Sequence, residues 1–355
     1  MVHDLKASCT GCILGTAAGD ALGLPYEGIG PRRAARLFPD TGRHHFFFGK
    51  GMVSDDTEHA CFTAQALIRG RGQAEVFEKR LAWSLRWWLI NLPAGTGLAT
   101  LKATLKLWMG FPPRRSGVFS AGNGPAMRSP ILGVALGHAP DDLRRFVRAS
   151  TRITHTDPKA FHGALAVALA ACQSAVEPVL SPDRFVEELT ALLAEEPAEE
   201  FLQLVRQALQ SAAEGEPVSA FADRIGSSNG ISGYIFHTVS CVLQVWFRYP
   251  EDFAGGIQEI IAGGGDADST AAILGGIIGA RVGRQGIPES WLNNLMEWPR
   301  SVAWMERLGE AVAASSEGHI EVKSPGYFVP GIPLRNLWFL LTVLFHGFRR
   351  LLPPY

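Results

Sequence analysis

Two acidic clusters lie about 210 residues apart in the sequence and carry the side chains best suited to chemistry. The first is Ser54–Thr57 (SDDT) and the second is Asp266–Thr270 (DADST). Each places two carboxylates and a hydroxyl directly before an apolar run of helical period, so we expect each at a helix N-terminus. Mg²⁺ and Mn²⁺ prefer carboxylate, hydroxyl and water oxygens, and four carboxylates gathered without a cation would repel one another. The two clusters therefore predict a hard-cation site for two ions.

Each cluster taken alone also fits a purely structural interpretation. Asp55 is followed three residues later by Glu58, which is typical of a helix cap with a reciprocal glutamate. The glycine-led second cluster is typical of a turn and a cap. An EF-hand is disfavoured, since the sixth position from Asp266 is Ala271 rather than glycine and the twelfth is Ile277 rather than glutamate. The presence of both clusters in one chain favours the metal site over two independent caps.

The composition fits a globular protein with a large core. The chain has 355 residues, of which 47% are hydrophobic and 19% charged, and its formal net charge is −1. This length suits one large domain with an appendage, and the apolar fraction disfavours disorder. A net charge near zero gives no electrostatic reason to expect a nucleic-acid-binding surface.

The cysteines and the N-terminal residues indicate the compartment. Five cysteines, an odd number, are scattered through stretches of helical period, which favours a reducing environment with buried free thiols. The first residues, MVHDLK, lack the basic and apolar regions of a secretory signal. We therefore expect a cytoplasmic protein.

The hydrophobic period predicts the elements that must position the two clusters. Long stretches repeat with the helical period, and short strand-like runs are scarce. Helices are expected over residues 76–89, 143–151, 162–173, 201–213 and 234–246. The segment 43–48 is the one plausible strand. The chain is therefore predicted to be all-α.

Two of the expected helices carry flat stripes of small residues. The stripes recur at intervals of four and comprise Gly11, Gly15, Gly19 and Gly23 in one helix, and Ala271, Gly275, Gly279 and Gly283 in the other. Such stripes let backbones approach closely, so these helices are predicted to be central and tightly packed.

The C-terminal region differs in composition from the rest of the chain. Residues 315–333 are rich in Ser, Gly and Pro, which is typical of a linker between residues 1–314 and an apolar helix at 334–355. The uninterrupted apolar run of that helix, about a dozen residues, is shorter than the ~20 residues needed to span a bilayer. Three uses stay open for it: packing back on the core, burial in a dimer or partner interface, and lying at a membrane surface.

Four further segments accompany the clusters in a fixed order. They are Gly15–Glu27, Gly122–Arg128, Thr154–Pro158 and Ser232–Tyr234. With these segments the chain resembles the ADP-ribosylglycohydrolase family, which includes the dinitrogenase reductase-activating glycohydrolases, over roughly residues 8–300. The resemblance implies an all-α fold, a compact multi-helix bundle with a central dinuclear site for two Mg²⁺ or Mn²⁺ ions. Residues 1–314 would then form the catalytic domain.

The resemblance also implies the residues of the site. The metal ligands fall on Ser54, Asp55, Asp56, Asp266, Asp268 and Ser269. Glu27 matches the family's mobile glutamate near the metals, and it joins Asp55 and Asp56 as a candidate catalytic carboxylate. The loop that holds the diphosphate and ribose falls on Ser120, Gly122 and Asn123, and the positions lining the ADP-ribose cleft fall on His155 and Tyr234.

The chemistry implied by this resemblance is cleavage of the bond to the anomeric carbon of ribose. Such a reaction passes through an oxocarbenium-like state and needs oriented ribose hydroxyls and an activated water. Two cations supply both, by binding the vicinal hydroxyls and lowering the pKa of a coordinated water, whose proton a nearby carboxylate accepts. The expected function is a metal-dependent hydrolase that releases ADP-ribose from a protein side chain or a small molecule. Two alternatives stay open: an ADP-ribose-binding or ADP-ribosyltransferase-blocking protein, and a dinuclear phosphohydrolase.

One loop departs from the arginine-directed members of this family. Those members carry an aspartate after the helix that here ends near Asn91, whereas this chain reads PAGTG at residues 93–97. A carboxylate that would pair with a guanidinium is missing, which weakens the case for ADP-ribosyl-arginine as the substrate. Serine-linked or other O-linked ADP-ribose, and small ADP-ribosylated molecules, stay open.

Overall fold

A computed structural model describes residues 4–91, 93–318 and 322–353 as a bundle of helices. The α-helices in these ranges are, in chain order, α1 (Leu5–Gly23), α2 (Pro31–Leu37), α3 (Asp55–Gly70), α4 (Ala74–Ile90), α5 (Leu98–Trp108), α6 (Pro113–Ser116), α7 (Gly124–Met127), α8 (Pro130–Leu136), α9 (Pro140–Arg152), α10 (Pro158–Val176), α11 (Pro182–Leu192), α12 (Glu199–Ala213), α13 (Val218–Arg224), α14 (Ile235–Arg248), α15 (Phe253–Ala262), α16 (Ala267–Val282), α17 (Glu289–Asn293), α18 (Val302–Ser316) and α19 (Gly331–Arg349). Short 3₁₀-helices lie at Leu24–Tyr26, Phe47–Gly49 and Arg284–Gly286. No strand forms in the described ranges, where only isolated β-bridges occur. The all-α prediction is confirmed.

The central helices α1 and α16 lie with their backbones in contact. The small-residue stripes face each other in antiparallel order, with Gly15 against Gly275 and Gly19 against Ala271. A Cβ added at Gly15 would stand 2.1 Å from the carbonyl oxygen of Gly275, and one at Gly19 would stand 2.0 Å from that of Ala271. Only glycine allows this approach without separating the helices. The prediction of two tightly packed helices is confirmed, and the contact places the C-terminus of α1 beside the N-terminus of α16.

A shell of helices surrounds this pair. α1 also packs on α3 and α18, and α16 packs on α10, α14 and α15. Among the described residues, α10 is the one helix long and apolar enough to cross a membrane, and 78% of its apolar window is buried inside the protein. Burial of this kind is typical of a core helix. Because α3 packs on α1 and α16 is one of the central pair, both helices that carry the acidic clusters belong to this closely packed centre.

The predicted strand at residues 43–48 is wrong. His44 turns inward, where its Nε2 lies 2.9 Å from the carbonyl oxygen of Trp291, and Phe47–Gly49 forms a 3₁₀ turn. Phe48 has a φ of 58°, a left-handed conformation that ends an extended run. The aromatic residues of this stretch favoured a strand, but contacts with the bundle hold the backbone in a turn.

The segment predicted as a linker lies against the bundle where it is described. Ser324 Oγ accepts a hydrogen bond from Gln65 Nε2 at 3.0 Å, and the carbonyl oxygen of Pro325 accepts one from Trp304 Nε1 at 3.2 Å. The final helix begins at Gly331, before the expected Leu334. The division of the chain at residues 314 and 333 stays a prediction.

The helix α19 packs on the bundle through one face only. The inner face buries Phe339, Thr342 and His346, so this face packs back on the core. The outer face exposes apolar side chains, namely Leu337, Trp338, Leu341, Leu344, Phe345 and Phe348. The first of the three expected uses is therefore observed for the inner face. A dimer, partner or membrane contact of the outer face stays a prediction.

Candidate functional site

Asp20 on α1 fixes the start of α3, where the first acidic cluster lies. Its carboxylate accepts hydrogen bonds from the backbone N–H of Ser54 at 2.9 Å and of Thr57 at 3.1 Å, and from the Thr57 hydroxyl at 2.5 Å. Ser54 caps the helix, since its Oγ accepts from the backbone N–H of Asp56 at 3.2 Å. Asp20 and Ser54 together satisfy the first N–H groups of α3 and fix where Asp55 and Asp56 project.

A glycine loop carries the second cluster to the N-terminus of α16. Gly264 and Gly265 have φ values of 61° and 78°, a conformation that glycine adopts without strain. The backbone N–H of Gly265 donates to the carbonyl oxygen of Ile29 at 2.9 Å, and that of Asp266 donates to the carbonyl oxygen of Ile231 at 2.7 Å. Two distant segments of the chain thus hold the loop and fix Asp266.

The two acidic clusters meet in the folded chain. Ser269 Oγ donates to Asp56 Oδ2 at 3.2 Å, and Ser54 Oγ donates to the same oxygen at 3.0 Å. On the other side of the site, Asn123 Nδ2 donates to Asp266 Oδ2 at 2.6 Å. The structure therefore brings carboxylates from α3 and α16 together, with Asn123 beside them.

The carboxylates of the site raise one another's pKa values. Burial raises the pKa values of Asp55, Asp56 and Asp268 well above the ordinary range, and neighbouring negative charges raise them further. Burial also raises the pKa of Asp266, although the hydrogen bond from Asn123 opposes the shift. Carboxylates in this arrangement need a positive charge among them to stay ionised.

The donor set fits a divalent cation. Asp56 Oδ1 and Asp268 Oδ1 are buried and have no hydrogen-bond partner. Buried carboxylate oxygens without donors are costly unless a cation binds them. Among the described residues, no three His, Cys, Asp or Glu side chains are gathered as a metal-binding group. The dinuclear Mg²⁺ or Mn²⁺ site stays a prediction.

The clusters lie in the wall of a cavity of about 360 Å³. Most of the predicted site residues line it, namely Glu27, Asp55, Asp56, Ser120, Gly122, Asn123, His155, Asp266, Asp268 and Ser269. Ser54 and Tyr234 are not among the described residues of the lining. Ser54 is buried as the cap of α3, and the hydroxyl of Tyr234 accepts from Lys159 Nζ at 2.9 Å, while Gly233 lines the cavity in its place. A cavity of this volume suits a small-molecule ligand.

His155 presents one defined nitrogen to this cavity. Arg128 Nη2 donates to Thr154 Oγ1 at 2.7 Å, and Thr154 Oγ1 lies 2.9 Å from His155 Nδ1. The other acceptor within reach of the Thr154 hydroxyl, the carbonyl oxygen of Thr151, is 3.5 Å away, so we assign the hydroxyl proton to the shorter contact with Nδ1 and the ring proton to Nε2. Nε2 faces Gly122, where an added Cβ would stand 3.1 Å from it. Burial and the charge of Arg128 lower the pKa of His155 to about 3, so the ring is a neutral hydrogen-bond donor.

The side of the cavity formed by residues 95–100 is neutral. Gly95, Gly97 and Leu98 line it, and Leu98 is 72% exposed. Apart from Glu27 and the four aspartates of the two clusters, the described lining residues include no carboxylate. The missing acid of this loop therefore has no substitute elsewhere in the described lining.

The roles of Asp20 and Arg128 were not predicted from the sequence. Asp20 interrupts an apolar, glycine-striped helix, and an acid in such a place indicates a buried partner, so its signal was available. Arg128 is fully buried, but an arginine after a glycine-led turn is equally typical of the surface. Only the folded structure places its guanidinium behind Thr154.

Comparison with known proteins agrees with this geometry. The sequence profile of the family described as ADP-ribosylglycohydrolase matches residues 1–321. The chain belongs to the ADP-ribosylglycohydrolase family. The match includes both acidic clusters, Glu27 and the loop around Asn123, and it ends before α19.

Members of the ADP-ribosylglycohydrolase family are similar to this chain over most of their length. The ADP-ribosyl-(dinitrogen reductase) glycohydrolase of Rhodospirillum rubrum is 31% identical over 302 residues, which cover 83% of this chain and 91% of that protein. ADP-ribosylhydrolase ARH3 of Homo sapiens is 28% identical over 321 residues, which cover 79% of this chain and 87% of that protein. A solved structure of an ADP-ribosylglycohydrolase-related protein complex aligns with a TM-score of 0.63 at 26% identity, covering 88% of this chain and 99% of that chain. The resemblance seen in the motifs is confirmed.

Proposed function

We propose that this chain is a metal-dependent hydrolase that cleaves the glycosidic bond between ADP-ribose and an O-linked acceptor. The observation that carries the proposal is the meeting of two acidic clusters at one cavity, where Asp56 Oδ1 and Asp268 Oδ1 are buried without partners. Two Mg²⁺ or Mn²⁺ ions held by these oxygens would supply Lewis acidity to a water molecule and fixed positions for vicinal ribose hydroxyls. The names of the relatives, a glycohydrolase and a hydrolase of ADP-ribose linkages, support this reaction.

The remaining groups of the cavity have roles in binding and proton transfer. Glu27 is exposed to the cavity, and desolvation by its walls together with the charge of Asp266 raises its pKa, which suits a proton acceptor. His155 Nε2–H offers a neutral donor to a substrate oxygen beside the Gly122–Gly124 loop. Asn123 is held by Asp266 and Thr238, so its amide has one fixed orientation. These groups would orient the ribose and diphosphate without a lysine.

The acceptor is inferred from the neutral wall at residues 95–98. A guanidinium leaving group would need a carboxylate there, and the described lining offers none on that side. A serine or another hydroxyl acceptor carries no charge and fits a wall of glycine and Leu98. This difference favours O-linked over arginine-linked ADP-ribose.

The proposal is tested with peptides that carry serine-linked or arginine-linked ADP-ribose, each assayed with Mg²⁺ and with Mn²⁺. We expect intact ADP-ribose as the product, faster release from serine, and loss of release after Asp268→Ala. Release of AMP or phosphate would indicate a phosphohydrolase instead. Failure to cleave any substrate, together with metal-independent ADP-ribose binding, would indicate a binding protein.

The acceptor preference is tested by adding charge to the neutral wall. A Cβ at Gly97 meets no atom within 4 Å, so Gly97→Asp fits without strain. We expect it to raise the ratio of arginine-linked to serine-linked cleavage about threefold to tenfold. Gly97→Asn has nearly the same shape without the charge and should leave the ratio unchanged. An equal effect of both variants would contradict the electrostatic explanation.

A further inference from the structure

The C-terminal helix α19 contacts the segment that carries Glu27. The guanidinium of Arg350, at the end of this helix, donates to the carbonyl oxygens of Pro25 at 2.6 Å, Glu27 at 2.7 Å and Leu24 at 3.4 Å. His346 Nε2 lies 3.0 Å from the carbonyl oxygen of Pro25. Four contacts from one helix therefore converge on residues 24–27.

The opposite side of the same segment is bound to the acidic loop. The backbone N–H of Gly28 donates to the carbonyl oxygen of Gly265 at 2.7 Å, and the carbonyl oxygen of Ile29 accepts from Gly265 at 2.9 Å. Glu27 thus lies between an anchor on α19 and an anchor beside Asp266. Its position in the cavity depends on both.

The beginning of α19 holds the other half of the site. Arg335 donates to the carbonyl oxygen of Val53 at 2.5 Å and to Glu297 Oε1 at 2.6 Å, while the backbone N–H of Val53 donates to the same carboxylate at 2.8 Å. Val53 directly precedes Ser54 and the first acidic cluster. One helix therefore fixes the backbone that leads to Asp55 as well as the backbone that carries Glu27.

The positive charge of Arg350 is electrostatically favourable beside the acidic site. No Asp or Glu occurs between residues 322 and 355, so α19 adds only positive charge. Burial lowers the pKa of Arg350, and the charges of Glu27 and Asp268 oppose that shift, which indicates that the guanidinium lies in the field of the acidic site. A cation here reduces the repulsion between Glu27 and the aspartates and so favours the observed position of Glu27.

We propose that α19 is a brace of the active site and that Arg350 and His346 are positioning residues, which hold Glu27 at the cavity through its backbone. The helix lies outside residues 1–321, which match the family. The brace therefore lies outside the segment on which the family match rests. The expected effect of the brace on the rate of ADP-ribose release rests on the proposed hydrolase function. Its expected effect on amide exchange at residues 24–30 does not.

The structural consequence is tested by hydrogen–deuterium exchange. Arg350→Ala should increase exchange in a peptide covering residues 24–30 while leaving α1 and α16 protected. Arg349→Ala is the matched control, because Arg349 is the neighbouring arginine and its guanidinium lies over the ring of Phe38, 5.8 Å away. Exchange at residues 24–30 that is the same in both variants and the wild type would overturn the brace, whether or not the protein proves to be a hydrolase.

The kinetic consequence is tested by a double-mutant cycle with Glu27. Arg350→Ala should lower kcat for ADP-ribose release about 10- to 100-fold with little change in thermal stability, as expected when a reacting group is displaced. In a Glu27→Gln background the same change should have almost no further effect, because the displaced group is already gone. Equal loss in both backgrounds would overturn the positioning role. A wild-type protein that releases no ADP-ribose would sink the proposed function and leave the exchange experiment to decide the brace.

Discussion

Asp20 on α1 binds Thr57 on α3 twice, through the backbone N–H at 3.1 Å and through the hydroxyl at 2.5 Å. The carboxylate is completely buried, and its other hydrogen bonds come from the backbone N–H of Ser54. Burial raises the pKa of Asp20 to about 7, against these hydrogen bonds, which lower it. Asp20 is therefore the link between the central helix pair and the first acidic cluster.

We expect Asp20→Asn to destabilise the protein and to weaken metal binding. The amide would place an NH₂ group against the backbone N–H of Ser54, and an unsatisfied buried group of this kind costs about 1–3 kcal/mol. Urea unfolding gives the change in the free energy of unfolding, and calorimetry with Mn²⁺ gives the affinity. Asp252→Asn is the control, because Asp252 caps α15 on the surface and asparagine caps equally well. Equal stability of the two variants would refute the link.

Replacement of glycine by alanine should have opposite effects at two positions, one in the contact of α1 with α16 and one on the open side of α19. Gly15→Ala should destabilise by about 3 kcal/mol, because its Cβ would stand 2.1 Å from a backbone oxygen of α16 and the helices must separate. Gly347→Ala in α19, where a Cβ meets no atom within 4 Å, should stabilise by about 0.5–1 kcal/mol. Thermal and urea unfolding of both variants measures the difference. A destabilising Gly347→Ala would show that α19 is not helical there.

The parts of the fold that follow from local sequence were predictable. Glycines at intervals of four identify α1 and α16, and hydroxyl–acid pairs before apolar runs identify the starts of α3 and α16. The strand predicted at residues 43–48 does not form, because the ring of His44 turns inward to the backbone carbonyl of Trp291, which is far away in the chain. No local pattern signals a contact of that kind.

The site was also predictable only in part. The carboxylates could be named from residue type and from the family resemblance, and the structure places them together at one cavity. The contact of Arg350 with Glu27 joins residues 323 positions apart, and the buried guanidinium of Arg128 donates to Ser150 and Thr154, 22 and 26 positions away. Supporting contacts of this kind cannot be predicted from local sequence, because an arginine that binds a distant segment has the same neighbours in the sequence as an arginine on the surface.

We expect Asp268→Ala to make the protein more stable than the wild type without metal and less stable than the wild type with metal. Without metal, Asp268→Ala should raise the free energy of unfolding at neutral pH, because burial and the neighbouring carboxylates raise the pKa of Asp268 and so make its ionised form unfavourable in the folded protein. With Mn²⁺ at about 100 times its dissociation constant the wild type should gain about 2.7 kcal/mol and the variant much less. Asp183→Ala, on the surface of α11, should keep the wild-type response. Stabilisation of Asp268→Ala equal to the wild type on adding metal would exclude Asp268 as a ligand.

The relay behind His155 predicts a change of tautomer. Thr154→Val keeps the shape of the side chain but removes the hydroxyl between Arg128 and His155 Nδ1. The imidazole should then populate both neutral tautomers, and two-bond ¹H–¹⁵N correlation spectra report their ratio. Thr156→Val, one residue beyond His155 and exposed, is the control. An unchanged Nε2–H tautomer in Thr154→Val would show that another group orients the ring.

The burial of His155 also predicts how stability depends on pH. The pKa of His155 is about 3 in the folded protein, against 6.5 for an ordinary histidine. Between these values the unfolded chain binds one more proton than the folded one, so this residue makes the protein less stable as pH falls from 6.5 toward 3. The slope is at most about 1.4 kcal/mol per pH unit. Above pH 7 the contribution is constant.

His155→Gln should therefore lose less stability in acid than the wild type does. At pH 8 the two proteins differ only by packing, and the difference should move in favour of the variant by about 1–2 kcal/mol on going to pH 5. Urea unfolding at pH 8, 6.5 and 5 measures it, and the other buried histidines cancel because both proteins contain them. His138→Gln, a change outside the cavity, corrects for the general effect of losing an imidazole. A difference between wild type and His155→Gln that stays constant from pH 8 to pH 5 would mean that His155 is not held neutral by burial and Arg128.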